Sequence, residues 1–134
     1  GVSMQMEGDT LKMVSNDSSL DLSNLLADNP LPEVNKVDMT GAGKNTLYIN
    51  DLLDFAGSEY VHMIKGDIGD VVVAQHAINT FLATNTTVVV DGVSHETDAT
   101  GHTAIGADAY MAYSSADHLQ TVLVGDEIVI NFLK

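Results

Sequence analysis

Two stretches of this chain are variants of one another. Leu20-Asp21-Leu22-Ser23-Asn24-Leu25-Leu26 returns 27 positions later as Leu47-Tyr48-Ile49-Asn50-Asp51-Leu52-Leu53. Each copy is a short apolar alternation, then a small polar residue, then a Leu-Leu pair. Each follows a polar turn-forming stretch (Ser15 to Ser19, Gly41 to Thr46), with a methionine shortly before it (Met13, Met39). Alternation with period 2 is a strand signal. Ser23 and Asn50 stand where helix N-caps accept the first free backbone N–H groups, so Ser23–Asp28 and Asn50–Ala56 read as one or two helical turns. Repetition at this period points to units stacked or laid side by side rather than to an enzyme core. With two copies only, a long solenoid is not expected.

Strand signals dominate elsewhere. Val2 to Met6 and Thr10 to Val14 flank Glu7-Gly8-Asp9, a hairpin turn. Tyr60–Ile64 and Asp70–Ala74 read as strands around Gly66-Asp67-Ile68-Gly69. His76–Ala83 fits a helical face slightly better than a strand, and the β-branched run Thr86–Val90 fits a buried strand before the Asp91-Gly92 turn. His95 to Gly106, polar and rich in Gly, Thr and Ala, reads as a surface loop or irregular edge. Ala109–Tyr113, Leu119–Val124 and Glu127–Phe132 read as three strands of an antiparallel meander, the last two joined by a Gly125-Asp126 hairpin turn.

Composition narrows the chemistry. The 134 residues suit one domain. A hydrophobic fraction of 45% with 18% charged residues suits a folded chain. Nineteen Asp and Glu stand against five Lys and no Arg, a net charge of −14. Nucleic acid and anionic membrane surfaces are therefore poor partners, since binding phosphates requires cations that displace counterions. Without cysteine there are no disulfides, thiol nucleophiles or thiolate metal sites. No apolar run reaches the ~18–20 residues needed to span a bilayer, so membrane insertion is not expected. No basic-then-apolar signal segment opens the chain.

Few motifs carry chemistry. Gly41-Ala42-Gly43-Lys44-Asn45-Thr46 fails as a phosphate-binding loop: the first glycine of that motif would fall on Asp38, and Asn45 follows the lysine. His95, Glu96, Asp98 and His102 lie close in sequence, but position 98 lacks the histidine of a helical zinc motif, leaving at most a loose metal site. His62, His76 and His118 are isolated and read as structural. No serine-nucleophile elbow occurs. Gly66-Asp67-Ile68-Gly69-Asp70 is a stronger candidate, because two Asp in a Gly-rich turn can offer oxygens to calcium; Asn16, Asp17 and Asn45 occupy the corresponding turns before the repeated modules. Ordinary turn chemistry competes with that reading at every one of these positions. The site candidates are thus Asp67, Asp70, Asp17 and Asn45 for calcium, with no catalytic or cofactor-binding residue.

Several segments, in order, resemble the C-terminal region of large repeats-in-toxin (RTX) adhesins and related type I secreted proteins. Ser19 to Leu26 is similar to their "LDLSDLL" segment. Val37-Asp38-Met39-Thr40-Gly41-Ala42-Gly43-Lys44-Asn45-Thr46-Leu47 resembles "IDLTGxGxNTL", continued by Asn50-Asp51-Leu52-Leu53-Asp54. Met63 to Val72 looks like "VxGDAGDTV", and Asp108 to Ile130 resembles the closing meander. Lys44 departs from the small residue usual there, the region His76–His102 has no counterpart, and the glycine-rich calcium nonapeptide does not occur in full. The resemblance implies a Gram-negative extracellular or surface protein, exported by a type I system that reads an uncleaved C-terminal signal.

The expectation is a single domain over 1–134, excised from a much larger secreted protein. It is mainly β with two or three short helices: strand–helix repeat units followed by an antiparallel meander, β-sandwich or β-roll-like. Its core would be Leu20, Leu22, Leu25, Leu26, Leu47, Ile49, Leu52, Leu53, Val71, Val73, Val88, Val90, Leu123, Ile128 and Ile130. The expected role is a non-enzymatic structural or adhesion domain that calcium stabilises by neutralising carboxylates. Its partners would be neighbouring domains of the same chain and a host or biofilm surface ligand. The alternative is a carbohydrate- or peptide-binding module using the 95–106 loop with Tyr110 and Tyr113; a hydrolase ranks third.

Overall fold

The computed structural model describes residues 4–8, 10–14, 17–21, 36–41, 43–49, 61–74, 80–115 and 121–133. It is mainly β, with parallel and antiparallel strands. The hairpin expected at the start is present: β1 (Met4–Glu7) and β2 (Thr10–Met13) pair antiparallel with Glu7 opposite Thr10.

Four strand–corner–strand units follow among the described residues. The first runs from β2 to β3 (Ser19–Asp21), and the second from β4 (Lys36–Asp38) to β5 (Thr46–Ile49). The third runs from β6 (Val61–Lys65) to β7 (Val71–Ala74). The sequence then makes β8 (Thr80–Leu82), β9 (Thr87–Val90), β10 (Val93–Glu96), β11 (His102–Ile105) and β12 (Asp108–Ser115) before the fourth unit. That unit runs from β13 (Thr121–Gly125) to β14 (Val129–Phe132).

In each unit the first strand lies in one sheet and the second in another. The first sheet has the order β1-β2-β4-β6-β13-β12-β11, with β8 also on β12; the second is β14-β7-β5-β3. Pairing from unit to unit is parallel throughout. Register puts Leu20, Leu47, Val72 and Ile130 level in the second sheet. Leu11, Val37, Ile64 and Val124 are level in the first. Residues level in paired strands point to the same face. Leu11, Val37, Ile64 and Val124 therefore meet Leu20, Leu47 and Val72 in one core between the sheets, with Ile130 packed against it.

A second core lies on the outer face of the first sheet, where Met63, Tyr110, Ala112 and Leu123 pack with Ala83, Val88 and Val90. β9 and β10 form a separate two-stranded ribbon over this face, joined by Asp91-Gly92 at φ 50° and 80°. Both turn residues have positive φ, the geometry that matches the twist of a two-residue hairpin. Val88 and Val90 point inward, while Val89 and Val93 are exposed. β13 is covered on both faces, so Val122, Leu123 and Val124 are all buried. This explains why that strand reads as an unbroken apolar run.

Four expectations are corrected. First, no helix occurs among the described residues: Thr80–Leu82, within the helix expected over His76–Ala83, is strand β8 paired with β12. The helices expected at Ser23–Asp28 and Asn50–Ala56 lie outside the described residues, as do Leu22, Leu25, Leu26, Leu52 and Leu53. Second, the meander holds only for β12 and β13. β14 leaves for the second sheet and pairs parallel with β7, so Gly125-Asp126 is a corner between sheets and not a hairpin. Third, in β7 the inward residues are Val72 and Ala74, while Val71 and Val73 are half-buried. Fourth, the 95–106 region carries part of β10 and all of β11.

Candidate functional site

The chemistry-bearing residues gather at the corners that lead into the second sheet. The residues directly before β3, β5, β7 and β14 are Ser18, Asn45, Asp70 and Ile128, brought level by the parallel register. Asn45 and Asp70 are fully buried. Asn45 Oδ1 accepts the backbone N–H of Ser18 at 2.8 Å, one unit away. Asp70 Oδ1 accepts the N–H of Asn45 at 2.8 Å, and its Oδ2 accepts that of Asp67 at 2.7 Å within its own corner. Main-chain bonds run alongside, from Thr46 N–H to Ser18 O, Val71 N–H to Asn45 O and Val129 N–H to Asp70 O.

A second row lies further out on the same corners. Asp17 Oδ1 accepts Lys44 N–H at 3.0 Å, and Asp67 Oδ2 accepts Gly41 N–H at 2.7 Å. The four residues expected at a calcium site, Asp17, Asn45, Asp67 and Asp70, are therefore brought together on one set of corners. There each binds a backbone N–H of a neighbouring unit. Corners between parallel strands leave N–H groups that the strands cannot satisfy, and an Asp or Asn side chain supplies the acceptor. The fourth unit closes the row with an apolar residue: a Cβ on Gly66 would stand 2.7 Å from Ile128 Cγ1 and 2.9 Å from Asp70 Oδ2. Only glycine lets Ile128 settle over the buried carboxylate.

The loosely clustered His95, Glu96, Asp98 and His102 are separated in role. Glu96 is exposed on β10, and His95 is half-buried beside it. Asp98 shapes the turn into β11: its Oδ1 accepts Thr100 N–H at 2.8 Å, Thr100 Oγ1–H at 2.6 Å and His102 N–H at 3.0 Å. The Thr100 hydroxyl first, then the His102 and Thr100 backbone N–H groups, hold the Asp98 carboxyl down at about 2, against an ordinary 3.8. His102 Nδ1 lies 2.8 Å from Thr100 Oγ1, and Nε2 lies 2.9 Å from Asp126 Oδ1.

Thr100, His102 and Asp126 form a hydroxyl–imidazole–carboxylate row at an exposed turn. The Thr100 hydroxyl also lies 2.6 Å from Asp98 Oδ1, which competes with the imidazole for its one proton. Sequence reasoning missed Asp126, because its contact with His102 joins segments 24 residues apart, and Thr100, whose hydroxyl reaches Asp98 and His102 only once the turn has formed. Among the described residues, no three His, Cys, Asp or Glu side chains form a group that could hold a metal ion.

A cleft of about 290 Å³ opens beside these corners, lined by Thr40, Lys65, Asp67, Asp108, Tyr110 and Asp126 among others. Tyr110 is 2% exposed. Burial first, then Asp108 and Asp38, push its phenol up to about 12. Burial and then Asp126 also raise Tyr113, whose ring centroid lies 5.5 Å from that of Phe132. Neither tyrosine is the open platform that a sugar-stacking role at the 95–106 loop would need. Among the described residues, no helix is long and apolar enough to cross a membrane.

Fold and site together define a β protein of stacked strand–corner–strand units, tied at the corners by buried Asn and Asp side chains. No family model, curated protein or solved structure matches the chain.

Proposed function

We propose that this chain is a non-enzymatic structural domain of a large type I secreted bacterial surface protein, built as a β-roll. Its work is to fold after export and to space or close the neighbouring repeats of the same chain, at the surface of a Gram-negative cell or outside it. The observation that carries the reading is the pair Asn45 and Asp70. Both are fully buried, and their side-chain oxygens bond the backbones of adjacent units. Polar groups that a binding or catalytic corner would present to solvent are engaged in holding the stack. The acidic surface, the lack of cysteine and the ordered resemblance to RTX adhesin segments support the secreted context.

Native-state amide exchange tests the structural role. The N–H groups of Ser18, Asn45, Asp67 and Val71 should exchange only through global unfolding, as those of a cooperative core do. Exchange at the corners through a far cheaper local opening would instead make them mobile elements and end this reading.

Calcium enters the proposal as a neutraliser of the −14 charge, not as the occupant of a built cage. Millimolar calcium should raise the melting midpoint, and magnesium at equal ionic strength should raise it nearly as much. An unchanged midpoint removes calcium from the proposal, and a rise seen with calcium alone replaces neutralisation by a dedicated site.

A further inference from the structure

We infer that the cleft between the β8–β9 connection and the outer face of the first sheet binds a neutral, polyhydroxylated ligand of the monosaccharide class. The cleft holds about 390 Å³ and is lined by Leu82, Ala83, Thr84, Asn85, Thr86, Thr87, Val88, Ser114 and Thr121. Its volume falls within the range of small-molecule sites, roughly 300–1,000 Å³.

Ser114 marks it as more than a surface depression. This serine is 2% exposed, yet its Oγ has no hydrogen-bond partner. A buried hydroxyl without a partner costs free energy and calls for an explanation. Register places Ser114 between Phe81 on β8 and Thr121 on β13. Directly opposed residues of antiparallel strands share a face, so the three form a row across the sheet. Phe81 is 53% exposed in that row.

The described lining favours an uncharged ligand. Among the described residues that line the cleft none is ionisable, in a chain with nineteen carboxylates. A charged ligand would lose water there and find no counter-charge among them. Threonine and serine hydroxyls donate and accept at once, as sugar hydroxyls do. Leu82 and Val88, which line the cleft, supply apolar surface for the C–H face of a pyranose ring. The inference does not depend on the structural role proposed above. It moves ligand binding away from Tyr110 and Tyr113, whose rings are occupied in packing.

Two-dimensional amide NMR with D-glucose, D-galactose, D-mannose and N-acetylglucosamine, each titrated alone, tests it. At least one sugar should give saturable shifts confined to residues 82–88, 112–115 and 121, with a dissociation constant on the order of millimolar. Ser114→Ala should keep the fold and weaken that sugar roughly 3- to 10-fold, the loss of one hydrogen bond. Thr121→Val, isosteric and directly across from Ser114 on β13, should weaken it similarly. The inference fails if no sugar shifts these residues, if both variants bind as the parent does, or if a tetra-alanine peptide gives the shifts and the sugars do not.

Discussion

Asp70→Ala is expected to lower the unfolding free energy by about 3–5 kcal/mol, because it strips one buried and one part-buried N–H of their acceptor at roughly 1–3 kcal/mol each and leaves a cavity. The groups are Asn45 N–H, bound by Oδ1 at 2.8 Å, and Asp67 N–H, bound by Oδ2 at 2.7 Å. Against a total stability of about 5–15 kcal/mol, this loss is a large fraction of what keeps the chain folded. Asp70→Asn should cost less, about 1–3 kcal/mol, since its carbonyl still accepts one N–H while its amide faces the other donor. Asn45→Ala removes the acceptor of Ser18 N–H and should also cost about 1–3 kcal/mol. Urea unfolding of the three variants gives the comparison. A cost below about 1 kcal/mol for Asp70→Ala would mean these N–H groups reach water, and the corner row would lose its structural role.

The second large effect concerns Tyr110, at the centre of the outer core with Met63, Ala112 and Leu123. Tyr110→Ala should cost about 3–5 kcal/mol, the range for emptying a buried aromatic site. Tyr110→Phe keeps the ring and should cost under about 1 kcal/mol. The same residue sets an alkaline limit. Its phenol is raised from 10.0 to about 12 by burial and nearby carboxylates, so the folded state favours the neutral form. The stability linked to this group is complete below pH 10 and is lost as the pH climbs toward about 12. A spectrophotometric titration should show one tyrosine ionising near that upper value, or together with alkaline unfolding, and Tyr110→Phe should remove it. An unchanged titration in Tyr110→Phe would contradict this assignment.

Much of the local structure was legible in the residues themselves. The β1–β2 hairpin, the β6 and β7 strands and the Asp91-Gly92 turn follow from alternation and turn chemistry, which act over a few positions. The corner residues Asp17, Asn45, Asp67 and Asp70 also stood out, because Asp, Asn and Gly cluster where strands stop. Their task did not. Whether such an oxygen meets an ion or a backbone N–H depends on the unit beside it, some 25–27 residues away. The run Val71-Val72-Val73-Ala74 shows the same limit, since a strand apolar at every position carries no alternation. Its inward face is set by pairing with Leu47 and Ile49, and a slip of one residue would reverse it. Ser114 gave no signal at all, because one serine in a strand becomes notable only once its neighbours leave it without a partner.

By itself, then, the sequence determined a β-rich chain with acidic surfaces, polar corners and a repeated strand-and-corner unit. Only the tertiary structure decided that four such units stack among the described residues, that β14 joins β7 rather than β13, and that a second core lies outside the first sheet. The reason is the nature of parallel pairing. Each strand need offer only an inward apolar residue and a polar or small one at the corner. Units as unlike as Thr46-Leu47-Tyr48-Ile49 and Val129-Ile130-Asn131-Phe132 can therefore stack level, and their likeness exists only in space.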